Sequence, residues 1–270
     1  MLSSLAPARR RLLLVAGTLL AVLVLLIVVV VAVRSDGHSA SSPAAAQDRP
    51  GPVLLVPGYG GSVGALSTLA ARLRAAGKDA SVVNLPGNAE GDLGGQAAVL
   101  ATAAKAALAR TGAASVDVVG YSAGGVVARL WIKDYGGAAP VRRVVTLGSP
   151  QHGTALAALG SLVAGACPLA CQQLVPTSSL LAALNQAPEL PAGPVFVSLW
   201  SSRDEVVLPP DSARLTGAVN IEIQQVCANS VVSHAQLPTD PLVAAMVLSE
   251  LSSAPARALT AADCAGLRAG

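Results

Sequence analysis

From residue 53 onward two kinds of apolar pattern alternate. Short runs rich in Val, Leu and Ile occur at 53–56, 80–84, 116–119, 141–147, 194–200 and 218–226. Between and after them lie longer segments with helical spacing, at 62–76, 95–110, 123–134 and 240–251. The short runs are mostly continuous rather than alternating. That pattern predicts strands buried on both faces, as in a parallel sheet covered by helices. Six such strands with right-handed crossovers predict an α/β fold, a three-layer sandwich around a mostly parallel six-stranded sheet. Residues 155–190 are small and apolar, broken by Pro168, Pro176 and Pro188, and no element is assigned there.

One apolar run does not fit a strand or an amphipathic helix. Residues 12–33 carry no charge and are flanked by Arg9, Arg10, Arg11 and Arg34. About 20 apolar residues suffice to span a bilayer, and the run exceeds the ~7–15 residues of a signal-peptide core. An uncleaved signal anchor is the preferred reading, with the arginines cytoplasmic and the rest of the chain outside. The alternative is a cleaved signal peptide, for which Ala44-Ala45-Ala46 is a distant cleavage candidate. The expected location is the cell membrane, single-pass with the folded domain extracellular, or secreted if the segment is removed. The expected organisation is 1–34 cytoplasmic Arg cluster and anchor, 35–52 a flexible Ser-, Ala- and Pro-rich linker, and 53–270 one folded domain.

Charge changes this picture little. Four of the 18 basic residues and none of the 15 acidic ones precede residue 35, leaving 14 against 15 in the remainder. Nothing in that balance suggests a nucleic-acid surface. The four cysteines, Cys167, Cys171, Cys227 and Cys264, form an even set outside the membrane, which favours disulfides. Of three possible connectivities, Cys167–Cys171 and Cys227–Cys264 is preferred; the second would stabilise by about 3–4 kcal/mol in the chain-entropy account. No His stands at ligand spacing to them, so no metal is expected.

The chemistry concentrates at Gly120-Tyr121-Ser122-Ala123-Gly124, set between a predicted strand and a predicted helix. A G-x-S-x-G segment in that context reads as a nucleophile elbow. Its glycines let strand and helix approach closely, and Ser122 projects at the positive end of the helix. A serine needs a base, and the base an orienting acid, in the chain order Ser, Asp or Glu, His. Of the three histidines, His38 lies in the linker and His152 precedes any suitable acid. His234, after the last strand, is the expected base. Asp204, just past the strand at 194–200, is the expected acid; Glu205 and Asp211 are rivals read as solvated loop charges, and Asp117 is out of order. Oxyanion donors are expected from the main chain of Ala123 and of Tyr59, the latter in the glycine-rich loop Pro57-Gly58-Tyr59-Gly60-Gly61. No phosphate-loop pattern is present, so no cofactor is expected. His152 is read as structural.

Together, Val56-Pro57-Gly58-Tyr59-Gly60-Gly61, Gly120-Tyr121-Ser122-Ala123-Gly124-Gly125, the run from Thr146 to Thr154 and the Asp204 and His234 segments resemble the secreted bacterial lipases and esterases of the α/β-hydrolase fold, the class 2 lipase type. The resemblance covers roughly residues 53–250. It implies carboxylic-ester hydrolysis, often of triacylglycerols, on a compact six-stranded core with little or no lid. Members often carry His directly after the Pro of the Ser-Pro segment; here Gln151 is there and His152 follows. The expectation is therefore an extracellular serine hydrolase acting on acylglycerols or other lipid esters. Two alternatives stay open: an acyltransferase to a lipid or sugar alcohol, and a non-catalytic cell-envelope binding module on the same scaffold.

Overall fold

The computed structural model describes residues 20, 22–25, 45–61 and 63–269. The expected membrane-spanning segment, 12–33, lies almost wholly outside the described residues. Among the described residues no helix is long and apolar enough to cross a membrane.

The chain runs β1 (Val53–Val56), α1 (Val63–Ala75), β2 (Ala80–Val82), α2 (Leu93–Thr111), β3 (Val116–Tyr121), α3 (Ala123–Asp134) and β4 (Val141–Leu147). It continues with α4 (Ala155–Ser161), α5 (Leu169–Gln173), α6 (Ser179–Leu184), β5 (Val195–Trp200), β6 (Val219–Glu222), α7 (Ile223–Val226), α8 (Pro241–Glu250) and α9 (Cys264–Ala269). The strands form one sheet in the order β2-β1-β3-β4-β5-β6, and every pair is parallel.

Strand periodicity splits the core in two. Leu54, Val56, Val118 and Val144 face one side, where they pack with Leu93 and Leu100 of α2 and Val126 and Trp131 of α3. Val53, Leu55, Val119, Val145 and Val197 face the other, against Leu66, Leu69 and Leu73 of α1 and Val243, Met246 and Val247 of α8. Alternate residues thus bury on opposite faces, which is why the strands read as unbroken apolar runs. Helix ends follow local chemistry. Asp92 accepts the Gly95 N–H at 2.8 Å to start α2, and Gly112, at φ 69°, ends it. Asp240 accepts from Leu242 and Val243 ahead of Pro241 to start α8.

Three segments differ from the sequence expectation. The run at 218–226 is strand only to Glu222, and then turns into α7. Ile223 and Val226 bury at helical spacing, and Cys227 is fixed by its bond to Cys264. Residues 155–190 form α4, α5 and α6, whose Ala157, Ala170, Leu181 and Leu184 bury in the core layer of α2 and α3; the disulfide Cys167–Cys171 staples the entry of α5. Both disulfides have the preferred pairing. The third difference is in the expected linker, whose end is seated on the domain. Gln47 donates from its side chain to the Arg142 carbonyl at 3.0 Å, and its own carbonyl accepts from Arg142 at 2.7 Å. The Pro52 carbonyl accepts the Asp117 N–H at 2.9 Å. Composition missed this because each contact has a main-chain group on one side, which any sequence can supply.

Those contacts belong to a polar cluster at the end of the sheet away from Ser122. Arg142 and Asp117, both fully buried, pair through two hydrogen bonds of 2.8 and 2.6 Å. Arg142 also donates to the carbonyls of Leu251 and Ser252, Arg143 to those of Glu250 and Ala254, and Lys78 to that of Leu251. Three cations therefore gather on carbonyls at and just past the C-terminus of α8, where the helix dipole is negative. Burial pushes the Asp117 carboxyl up, against the opposite pull of Arg142.

Asp117→Ala leaves the Arg142 charge buried without its partner, so it is expected to cost about 3–5 kcal/mol in urea unfolding. A chain beginning at Val53 loses the Gln47 and Pro52 carbonyls that chains beginning at Pro43 keep. It is expected to be less stable by about 1–3 kcal/mol, read as a lower urea midpoint.

Candidate active site

The loops at the carboxyl ends of β1, β3, β4 and β5 meet above the sheet, where ligands of open α/β sheets bind. β3 ends at Tyr121 and α3 begins at Ala123, so Ser122 alone makes the turn. Its backbone sits at φ 52°, ψ −127°, a strained conformation for a residue with a Cβ. Glycines make the turn possible by close approach. A Cβ on Gly120 would lie 2.5 Å from the Gly125 Cα, and one on Gly124 would collide with the Val56 carbonyl. A Cβ on Gly58 would lie 2.7 Å from that of Ser122, so the loop after β1 passes directly over the serine.

His234 opens a short 3-10 turn whose entry is fixed by Gln236 accepting the Ser233 N–H at 2.9 Å. Its Nε2 lies 3.1 Å from Ser122 Oγ and its Nδ1 2.7 Å from Asp204 Oδ2. Nδ1 faces a carboxylate and so carries the proton, which leaves Nε2 free to accept from the serine hydroxyl. The other Asp204 oxygen accepts the N–H groups of Val206 and Val207 at 2.9 and 2.8 Å. Asp204 and His234 are both buried. A relay of carboxylate, imidazole and hydroxyl with these distances can draw a proton from Ser122 without rearrangement.

Ser122 and Tyr59 border a cleft of about 270 Å³ whose walls include Leu156, Leu174, Val206 and Val207. The lining is mostly apolar, and polar groups converge at one end. Among the described residues no hydrogen bond consumes the main-chain N–H of Ala123 or Tyr59, and the first of these stands at the N-terminus of α3.

The structure thus brings Ser122, His234 and Asp204 into one chain of hydrogen bonds, with Tyr59 and Ala123 beside the serine. Of the other acids weighed, two lie elsewhere. Asp117 is in the buried ion pair at the far end of β3, and Asp211 is exposed in the 3-10 turn Pro210–Ala213. His152 is outside the relay. Its Nδ1 lies 3.1 Å from the Ser212 carbonyl and its Nε2 3.3 Å from Glu189, tying three loops together. Although burial pushes the Glu189 carboxyl up, the Thr216 N–H and His152 hold it below its ordinary value.

Three contributors to the site escaped the sequence reading. Thr154 Oγ1 donates to the Val206 carbonyl at 2.7 Å and accepts the Leu208 N–H at 3.0 Å, pinning the acid loop. Gly148, at φ 51°, has no room for a side chain: a Cβ there would lie 2.8 Å from Asp204 Oδ2 and 3.3 Å from His234 Nδ1. Glu205 is exposed, as expected of a loop charge, and in addition accepts the main-chain N–H of His234 at 3.0 Å. Only Gly148 carried a legible signal, since it ends a predicted strand where a sharp turn is needed.

Comparison with known proteins agrees with this architecture. A model of the alpha/beta hydrolase fold matches residues 51–162. No curated protein matches the chain by sequence. Among solved structures, Aspergillus fumigatus lipase B superposes with a TM-score of 0.66 at 23% identity, covering 79% of this chain and 55% of its own. The chain therefore spans about half of that lipase's length. The mature form of Bacillus licheniformis lipase BlEst2 gives a TM-score of 0.63 at 21% identity, covering 80% of this chain and 96% of that one. The product of gene lin2722 from Listeria innocua gives 0.55 at 17%, covering 78% and 98%. At such identities the likeness speaks for architecture alone. The chain has the alpha/beta hydrolase fold and is similar in architecture to the two lipases named.

Proposed function

We propose that the protein is a serine hydrolase of carboxylic esters. The observation that carries this reading is the hydrogen-bonded chain from Asp204 through His234 to Ser122, set at the mouth of an apolar cleft. Ser122 Oγ attacks the ester carbonyl while His234 Nε2 takes its proton, and Asp204 holds the tautomer and stabilises the imidazolium. The tetrahedral oxyanion is received by the N–H groups of Ala123 and Tyr59. The proton then passes from His234 to the departing alkoxide, which leaves an acyl group on Ser122. Water, deprotonated by His234, attacks that acyl group; the bond to Ser122 Oγ breaks, His234 returns the proton to that oxygen, and the carboxylic acid is released.

Lipid esters fit the surroundings best. Residues 153–188 contain no charged side chain; Leu156 lines the cleft, and Leu159, Leu162, Val163 and Leu169 are exposed in the same stretch of chain. An exposed apolar patch of this kind favours a hydrophobic substrate over a polar one. The proposed location is the outer side of the cell membrane, with residues 12–33 as anchor. The uncharged length of that run and the two disulfides support it.

Ser122→Ala is expected to abolish hydrolysis of p-nitrophenyl esters, by at least about a thousandfold in kcat, with thermal unfolding unchanged. Turnover equal to wild type in that variant would sink the assignment. Across an acyl series, kcat/KM is expected to rise by up to about fourfold per added methylene until the cleft is filled, since each buried methylene contributes roughly 0.8 kcal/mol. Gly148→Ala is expected to lower kcat by about 10- to 100-fold by displacing the Asp204–His234 pair, measured beside the melting temperature to separate misplacement from unfolding.

A further inference from the structure

His234 stands in a loop with little regular structure, yet its Nε2 must stay on Ser122. The side chain alone cannot ensure this, because a ring hung from a mobile main chain moves with it. The main chain of His234 is bonded on both sides. Its N–H donates to Glu205 Oε2 at 3.0 Å, and its carbonyl accepts from the Tyr121 hydroxyl at 3.2 Å. These partners are the neighbours of the relay residues in sequence: Glu205 follows Asp204, and Tyr121 precedes Ser122.

The two partners suit the task. Tyr121 is buried, and its ring centroid lies 5.2 Å from that of His234, so it supports the imidazole by packing as well as by its hydroxyl. Burial, with the charges of Asp204 and Glu205 adding to it, raises the Tyr121 phenol above its ordinary range, so it remains a donor. Glu205 enters no ion pair among the described residues. Its carboxylate is therefore not drawn off by a cation, and the amide of His234 is its structural partner. A nearby bond ties the same two loops: Ser201 Oγ donates to the Val232 carbonyl at 2.5 Å. That bond fixes the loop, whereas Glu205 and Tyr121 fix the residue.

We infer that Glu205 and Tyr121 are positioning residues that clamp the main chain of His234 and so hold its ring between Asp204 and Ser122. The inference rests on the reading of Ser122, His234 and Asp204 as catalytic. The clamp acts on the step in which the proton moves, so its loss lowers kcat and leaves substrate binding in the apolar cleft nearly untouched.

The test uses the full chain in mild detergent, with p-nitrophenyl ester turnover and the amide proton resonance of His234 as separate readouts. Glu205→Ala is expected to lower kcat by about tenfold, the worth of one charge-assisted hydrogen bond, with KM changed by less than about twofold. Glu205→Gln, which retains an acceptor oxygen, is expected to recover most of kcat. Tyr121→Phe is expected to lower kcat several-fold while retaining the ring packing. The His234 amide resonance is expected to move upfield in Glu205→Ala and to stay near its wild-type place in Glu205→Gln. Wild-type kcat with an unmoved resonance in Glu205→Ala, or an equal loss in the Ala and Gln variants, would overturn the clamp. If the wild-type chain shows no Ser122-dependent turnover, the hydrolase reading fails, and the amide resonance alone then decides the clamp.

Discussion

Everything at the functional end of the molecule depends on one close approach, the passage of three backbone segments within van der Waals distance of one another at Ser122. The serine occupies φ 52°, which costs conformational energy, and it stays there because its neighbours leave no alternative. Gly58, Gly120, Gly124 and Gly125 each stand where a Cβ would strike another segment. Strand β1, strand β3 and helix α3 are thereby locked together, and the hydroxyl emerges at a fixed point above the sheet. Gly148 repeats the device one strand away, bringing β4 under the Asp204–His234 pair.

The opposite end of the sheet is built on a different principle. There the close packing is between charges and carbonyls rather than between glycines. Arg142, Arg143 and Lys78 gather the end of α8, and the Asp117 carboxylate balances part of their charge. The N-terminal stretch around Gln47 closes this cluster. A buried ion pair is weak as a source of stability but intolerant of losing a partner. The arrangement therefore specifies where the first and last parts of the domain must meet. Another buried cation, Arg129, does similar work beside α6, donating to the carbonyls of Leu184 and Glu189; burial brings its guanidinium down to about 10.

Much of the fold was readable because parallel strands covered on both faces leave a strong one-dimensional trace. The Val- and Leu-rich runs mapped onto β1 to β5 with errors of a residue or two at the ends. The run at 218–226 misled because Ile223 and Val226 are apolar in either a strand or a helix, and only the sheet edge and the Cys227–Cys264 bond decide between them. Residues 155–190 were unreadable for a related reason. Ala, Leu and Gly in short stretches support brief helices only where a neighbouring surface buries one side, here the core beside β4 and α3. Of the site, Ser122 was legible from its flanking elements, and Asp204 and His234 from their order and place after strands. The seating of Gln47 and the bond from Glu205 to His234 were not legible, since each joins residues far apart in sequence through a main-chain group that any residue type carries.

The division has a simple physical cause. The sequence by itself determined which segments must be buried, where the backbone needs glycine, and which side chains are candidates for nucleophile, base and acid, because these are properties of single residues and their near neighbours. Tertiary structure alone decided that His234 Nε2 lies 3.1 Å from Ser122, that Glu205 accepts the amide of His234, and that Arg142 reaches Asp117. Those are distances between loops on different strands. They are set by how the two core layers pack against the sheet, and no local pattern of residues encodes them.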